Sequence, residues 1–207
     1  DHLLKPVLIG AEFGGRAEDI AALWRRMYES MRVRGQTGGF MLDAISGVDI
    51  ALWDLAGKAA GRPVSEMIPA TRRRDRLPAY VSGLAGAGNA ARVEAAKQYV
   101  AAGFKAFKIF HDRGEDELFD LLDQLRSSLG EGIGLAVDAL WRWNEENAAG
   151  FGRRLDALGA LWLECPLPPE DPLAHGRLAQ AISTPVALGE SYRTCYELAP
   201  FFRAKAL

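Results

Sequence analysis

The chain has 207 residues, of which 49% are hydrophobic and 25% are charged, and its formal net charge is −2. This composition predicts a soluble globular protein with one substantial core, and the small net charge gives no sign of a nucleic-acid or membrane partner. Two cysteines without CxxC spacing exclude a disulfide scaffold, and because no apolar run reaches about 18 residues, we expect a cytoplasmic protein.

Helical patterns dominate the first part of the chain. Residues 17–32 and residues 41–60 each carry apolar side chains at three- and four-residue spacing. Gly61 and then Pro63 follow the second pattern, as is typical of a helix end. We therefore predict two amphipathic helices, preceded over residues 3–15 by a loop or by the remnant of a larger element.

Short apolar runs typical of β-strands alternate with helical patterns from about residue 78 onward. Their centres recur every 25 to 29 residues, the period of βα units in a parallel sheet or barrel. The runs are residues 78–82, 105–110, 133–138, 160–164 and 185–190. A closed barrel of this kind has eight strands, so we expect the chain to be an internal part of a longer polypeptide. The alternative is a complete doubly wound open sheet, although no GxGxxG loop is present.

Three carboxylates, Asp138, Glu164 and Glu190, end the last three of these runs and stand 26 residues apart. Because the carboxyl ends of parallel barrel strands meet at one face, we expect the three side chains to converge there. Oxygen donors grouped in this way suit Mg²⁺ and leave positions open for substrate and water. For each acid taken singly the alternative is structural, because an acid after a strand often caps the next helix.

One segment carries a family resemblance. Residues 44–58, AISGVDIALWDLAGK, closely resemble the signature helix of the mandelate racemase and muconate lactonizing enzyme family, within the enolase superfamily. The GRPV motif at 61–64, the YVSG strand at 80–83 and the GFKAFK run at 103–108 match the same pattern, as do the three spaced acids. The resemblance covers nearly the whole chain.

The resemblance implies an α/β fold, namely a (β/α) barrel of enolase-superfamily type. The barrel would be incomplete here, with about five βα units, and preceded by part of an α+β capping domain. We accordingly expect residues 1–40 to form the C-terminal part of the N-terminal capping domain. Residues 41–207 would then form a partial barrel domain that starts with its signature helix.

The resemblance also implies roles for individual residues. Asp138, Glu164 and Glu190 match the positions that bind an essential Mg²⁺ in the family, where a base removes the proton next to a substrate carboxylate and the metal stabilises the enediolate. Many members have Lys-x-Lys at the end of the second strand, and the matching positions here are Lys108 and Phe110. Phe110 cannot accept a proton, so Lys108 is the expected catalytic residue, acting as a substrate or electrostatic contact.

Other residues near the strand ends are expected to shape the site. We expect Ser82, Phe110 and Arg142 to bind substrate. His111 follows Phe110 directly, and strand alternation points it the opposite way. Two further departures from the family pattern are Leu140, in place of an asparagine, and Cys165, in place of an acid or amide, and both alter the surroundings of the metal ligands.

The loss of the second lysine favours one-sided chemistry over racemisation, which needs acid-base groups on both faces of the substrate carbon. Our leading hypothesis is an acid-sugar dehydratase that acts on an aldonate or aldarate, with the general base expected beyond Leu207. The alternatives are a racemase, epimerase or cycloisomerase of the same family, or a catalytically silent metal-binding homologue. We expect a small-molecule carboxylate as the binding partner and, by the resemblance, a homo-oligomer.

Overall fold

A computed structural model describes residues 2–68 and 74–207, which fall into two compact units, residues 1–75 and 76–207. In the described part of the first unit, every regular element is a helix. These helices are α1, Lys5–Leu8; α2, Ala17–Ser30; a short 3₁₀ helix, Arg32–Arg34; α3, Gly39–Ala60; and α4, Val64–Met67. The two predicted amphipathic helices are thereby confirmed as α2 and α3.

The first unit is built on the packing of α2 against α3. Apolar side chains at helical spacing on both helices form its core, namely Met27, Tyr28, Met41, Leu42 and Ile45. Gly61 ends α3 in the left-handed conformation, with φ of 62°, and its N–H reaches the carbonyls of Gly57 and Lys58. Glycine adopts this conformation without steric cost, so the sequence signal for the helix end has a direct structural reason.

The division between the two compact units falls between Asp75 and Arg76, so α3 lies in the first unit. Met41, Leu42 and Ile45 of α3 are buried in the core that α3 shares with α2. The expected assignment of residues 1–40 to a capping domain and of residues 41–207 to a partial barrel domain stays a prediction.

The second unit is a parallel sheet with a helix after every strand, in the order β1-β2-β3-β4-β5. The strands are β1, Val81–Ser82; β2, Ala106–Phe110; β3, Gly134–Asp138; β4, Leu163–Glu164; and β5, Val186–Ala187. The helices are α5, Asn89–Ala101; α6, Glu115–Leu129; α7, Glu145–Leu158; α8, Pro172–Ala181; and α9, Cys195–Arg203. Sequential strand order is that of a (β/α) barrel, whereas a doubly wound sheet reverses direction at a switch point. The predicted five βα units of an incomplete barrel are confirmed.

Strand alternation separates the core from the site. In β2 and β3, Phe107, Ile109, Leu135 and Val137 are buried in the core that the sheet shares with its helices. The alternate residues, among them Lys108 and Asp138, point to the other face because side chains alternate along a strand.

In the described residues, no helix combines the length and apolar composition needed to cross a bilayer.

Candidate active site at the carboxyl ends of the strands

Two of the three predicted acids lie side by side at the ends of adjacent strands. Asp138 is the last residue of β3 and Glu164 is the last residue of β4, and the two are register partners. Glu190 lies three residues beyond Ala187, where β5 ends, and it is exposed. The predicted run 185–190 is thus a strand only at its start, and Glu190 belongs to the loop that follows.

Lys108 lies between the two adjacent carboxylates. Its Nζ donates to the Asp138 Oδ2 at 3.0 Å and to the Glu164 Oε1 at 2.8 Å, and its side chain is 10% exposed. Burial lowers the pKa of this ammonium, but its hydrogen bonds to Glu164 and Asp138 and the charges of both outweigh burial, so the pKa lies above its ordinary value. Lys108 is therefore protonated at neutral pH and acts as a fixed cation.

Each of the two acids uses its second oxygen to accept a hydrogen bond from a neutral N–H group. The Leu140 backbone N–H donates to the Asp138 Oδ1 at 3.2 Å, and the Trp162 Nε1–H donates to the Glu164 Oε2 at 3.0 Å. The two carboxylates are thus held in orientation from one side, while their remaining oxygens face Lys108. Trp162 was not among the residues predicted for the site, although its place two residues before Glu164 puts it on the same face of the strand.

The loops after β3 and β4 are joined to each other in strained conformations. Leu140, Trp141 and Cys165 have positive φ angles of 55°, 57° and 45°, which are uncommon for residues other than glycine. The Trp141 N–H donates to the Cys165 carbonyl at 2.8 Å. Strained backbone of this kind persists where the surrounding contacts hold it in place, and it is concentrated at functional sites.

Cys165 connects this region to the third predicted acid. Its thiol lies 3.8 Å from the Glu190 Oε1, within the range of a weak sulfur hydrogen bond. Burial raises the pKa of the Cys165 thiol to about 12, and the negative charges of Glu190, Asp138 and Glu164 act in the same direction. The thiol is therefore protonated and has no nucleophilic role at neutral pH.

The donor set fits a hard cation in its chemistry but is only partly assembled. Carboxylate oxygens are the ligands that Mg²⁺ prefers, and one oxygen of Asp138 and one of Glu164 converge on the Lys108 ammonium, which occupies the point between them. Over residues 2–68 and 74–207, no three His, Cys, Asp or Glu side chains are grouped closely enough to hold a metal ion. The structure brings Asp138 and Glu164 together and leaves Glu190 outside the pair.

The expected substrate-binding residues lie at different places around this centre. Ser82 ends β1 and is the register partner of Lys108, while Phe110 ends β2 and is the partner of Asp138. The Phe110 ring centroid is 5.2 Å from the Lys108 Nζ. Arg142 is exposed in the loop before α7 and has no described contact with the other two.

Ser82 and Phe110 also line a cavity of about 400 Å³ at the ends of β1 and β2. Arg92 of α5 and Asp112, two residues after β2, line the same cavity and form an ion pair of 2.7 Å. Neither residue was predicted from the sequence to belong to the site. Asp112 could have been predicted, because it is a further acid close to the carboxyl end of a strand. Nothing in the sequence distinguishes Arg92 from other arginines in helices.

His111 lies on the helix side of the sheet, as alternation predicted. It is 6% exposed, and its ring stands edge-on to Trp143 at 5.0 Å and to Phe151 at 5.8 Å. Neither ring nitrogen has a hydrogen-bond partner among the described residues, and burial lowers the pKa of His111. The ring is thus part of an aromatic core cluster and not of the carboxylate centre.

Comparison with known proteins gives the family. Residues 91–207 match the model described as "Enolase C-terminal domain-like", and residues 1–69 match the "Mandelate racemase / muconate lactonizing enzyme, N-terminal domain". An arabinonate dehydratase of Saccharolobus solfataricus is 31% identical over 100% of this chain and 55% of its own length. A 3,6-anhydro-alpha-L-galactonate cycloisomerase of Streptomyces coelicolor is 32% identical, over 100% of this chain and 56% of its own length.

Solved structures agree with this assignment. A racemase from Streptomyces coelicolor with bound magnesium is 31% identical with a TM-score of 0.87, over 99% of this chain and 56% of that one. An L-talarate dehydratase from Polaromonas sp., complexed with Mg and L-glucarate, is 26% identical with a TM-score of 0.81. The match covers 98% of this chain and 56% of the dehydratase chain. The chain spans about half the length of these relatives. It belongs to the mandelate racemase and muconate lactonizing enzyme family of the enolase superfamily.

Proposed function

We propose that the protein is a Mg²⁺-dependent enzyme that removes the α-proton of a small carboxylate substrate, and that its reaction is the dehydration of an acid sugar. The observation that carries the proposal is the pairing of Asp138 and Glu164 at the ends of adjacent parallel strands, with Lys108 between them. Relatives named as arabinonate, galactonate and talarate/galactarate dehydratases support the substrate class.

We propose Asp138, Glu164 and Glu190 as the residues that hold the metal. When bound, Mg²⁺ stabilises the negative charge that develops on the substrate carboxylate as the α-proton leaves. The chemistry of the donor set supports this assignment, because all three side chains offer hard oxygens and two of them already face one cationic group. Relatives solved with bound magnesium support the choice of metal.

Lys108 is proposed to act as an electrostatic contact for the substrate carboxylate. Its ammonium is protonated and buried beside two acids, so it attracts an anion but cannot accept a proton. The neighbouring inward-facing residue, Phe110, cannot accept one either. We propose that a single base, different from these two residues, removes the α-proton, and that Ser82, Phe110 and Arg142 contact the substrate.

The same arrangement supports dehydration over racemisation. Inversion at carbon requires proton exchange on both faces of the substrate, whereas elimination of a β-hydroxide needs one base and one acid. With Phe110 at the second-strand position, the face beside Lys108 lacks a group that can exchange a proton.

Cycloisomerisation is the second candidate, because two of the relatives are named as a 3,6-anhydro-alpha-L-galactonate cycloisomerase and a D-galactarolactone cycloisomerase. This reaction also takes place on acid-sugar substrates. A catalytically silent metal-binding homologue is the third candidate, because Phe110 stands where many family members have a lysine base.

Both cysteines are free thiols, and this supports a cytoplasmic location.

The experiment is a screen of the protein with Mg²⁺ against aldonates and aldarates on one side and aromatic and N-acyl amino acids on the other. We expect a 2-keto-3-deoxy product, seen by NMR, from at least one acid sugar. A ring-opened or ring-closed isomer would favour the cycloisomerase. No conversion of any acid sugar, together with no exchange of the α-proton in deuterated water, would contradict the proposal.

A further inference from the structure

We infer that Trp162 is a positioning residue that fixes the orientation of the Glu164 carboxylate for metal binding. The inference rests on the proposed function, since it concerns the same metal site. It starts from one contact, the 3.0 Å hydrogen bond from the Trp162 indole N–H to the Glu164 Oε2.

The local geometry makes this contact a fixed one. Leu163 is fully buried in the core between the sheet and its helices, so Trp162 and Glu164 lie together on the opposite face. The Trp162 ring in turn stands edge-on to the Tyr80 ring, with centroids 5.2 Å apart. An indole held between a strand and a second aromatic ring has few alternative rotamers, so its N–H direction is set before any ligand arrives.

The bond determines which oxygen of Glu164 remains available. The Oε2 is held by the indole, while the Oε1 faces the Lys108 Nζ at 2.8 Å. Asp138 shows the same division, with Oδ1 held by the Leu140 backbone N–H and Oδ2 facing Lys108 at 3.0 Å. Both acids therefore direct one oxygen to the same point, which the Lys108 ammonium occupies in this structure. Two oxygens that converge on one cation are the arrangement that two single-oxygen ligands of a metal ion require, once the ammonium has moved aside.

The chemistry of indole suits this task. Its N–H is only a donor, so it cannot itself bind a cation or take a proton from the substrate. A hydrogen bond to a charged acceptor is stronger than one between neutral groups. Partners that orient metal ligands typically change metal affinity by about 10- to 100-fold when they are removed.

The test is calorimetric titration of the protein with Mg²⁺. In Trp162→Phe, which keeps an aromatic ring and loses the N–H, we expect the affinity to fall about 10- to 100-fold. The matched control is Trp53→Phe, which replaces a half-buried tryptophan of the first unit. The Mg²⁺ affinity of this variant should equal that of the wild type. Tyr80→Leu should give a smaller loss, because it removes the ring that restrains the indole but leaves the donor.

A further readout separates orientation from packing, namely the melting temperature of each metal-free variant, which reports packing alone. A Trp162→Phe protein that melts lower but binds Mg²⁺ as wild type does would overturn the inference.

The same titration distinguishes a wrong role for Trp162 from a wrong metal site. If Asp138→Asn abolishes Mg²⁺ binding while Trp162→Phe leaves it unchanged, the metal site stands and the role of Trp162 is refuted. If Asp138→Asn and Glu164→Gln both bind Mg²⁺ as wild type does, the metal site itself is refuted and the inference falls with it.

Discussion

The Lys108 Nζ lies 2.8 Å from the Glu164 Oε1 although β3 separates the strands that carry the two residues. Strands two apart in a sheet are about 9–10 Å from each other, so the contact depends on the long lysine side chain reaching across Asp138. One ammonium therefore connects three consecutive strands at their carboxyl ends.

Replacing Lys108 by Met should destabilise the metal-free protein by about 3 kcal/mol, because the buried Asp138 and the half-buried Glu164 lose their counter-ion. Urea unfolding measures the change. The control is Lys97→Met, which breaks an exposed pair with Glu94 and should alter the free energy of unfolding by less than about 1 kcal/mol. If the two variants unfold alike, Lys108 is not the main counter-ion of the pair.

The pH dependence of stability should include a contribution from Asp156. Burial raises the pKa of this carboxyl, but hydrogen bonds from the Ser183 N–H and from the hydroxyl and N–H of Thr184 outweigh burial, so the pKa lies below its ordinary value of 3.8. A lowered pKa in the folded state means that the stabilisation is complete above 3.8 and is lost as pH falls through the folded value.

Asp156→Asn should therefore cost about 1–3 kcal/mol at pH 7 and progressively less as the solution becomes acidic. Urea unfolding between pH 7 and pH 3 measures the difference from wild type. Asp123→Asn, at an exposed position of α6, is the control. A difference between Asp156→Asn and wild type that stays constant over this range would disprove the assignment.

Replacing either of two glycines of α7 by alanine should change the stability of the protein, in opposite directions for the two positions. A Cβ at Gly152 would lie 2.7 Å from the Ile182 Cγ2, a β-branched side chain in the core, so Gly152→Ala should destabilise by about 1–3 kcal/mol. A Cβ at Gly150 meets no described atom within 4 Å, so Gly150→Ala should stabilise the helix by about 1 kcal/mol. Thermal unfolding of the two variants measures both signs, and equal shifts would contradict the packing of α7.

Phe110→Lys tests whether the missing second lysine matters for turnover. We expect dehydration of an acid sugar to proceed in wild type without this substitution, because the proposed base is a residue other than Lys108 and Phe110. Product formation by NMR is the measurement. Turnover found only in Phe110→Lys would mean that the natural protein is catalytically silent.

Periodicity in the sequence was sufficient for the architecture and for the strand-end positions of Asp138 and Glu164. Alternation was also sufficient to place His111 away from Phe110. The packing of α3 against α2 was not predictable in this way, because an apolar stripe on a helix does not indicate which partner it contacts. The role of Lys108 as counter-ion was missed because it depends on distances between strands, which a linear pattern does not contain. The Trp162 hydrogen bond joins two residues of one chain segment, and the two-residue spacing from Glu164 was the signal for it.

Asp138, Glu164 and Glu190 are proposed to bind one divalent cation. The decisive measurement is anomalous diffraction from crystals of the protein soaked in Mn²⁺. We expect a single strong peak within coordination distance of an oxygen from each of the three side chains, with Glu190 drawn toward the pair and the Lys108 ammonium displaced from between the acids. A peak elsewhere, or none while Lys108 stays bonded to Asp138 and Glu164, would contradict it.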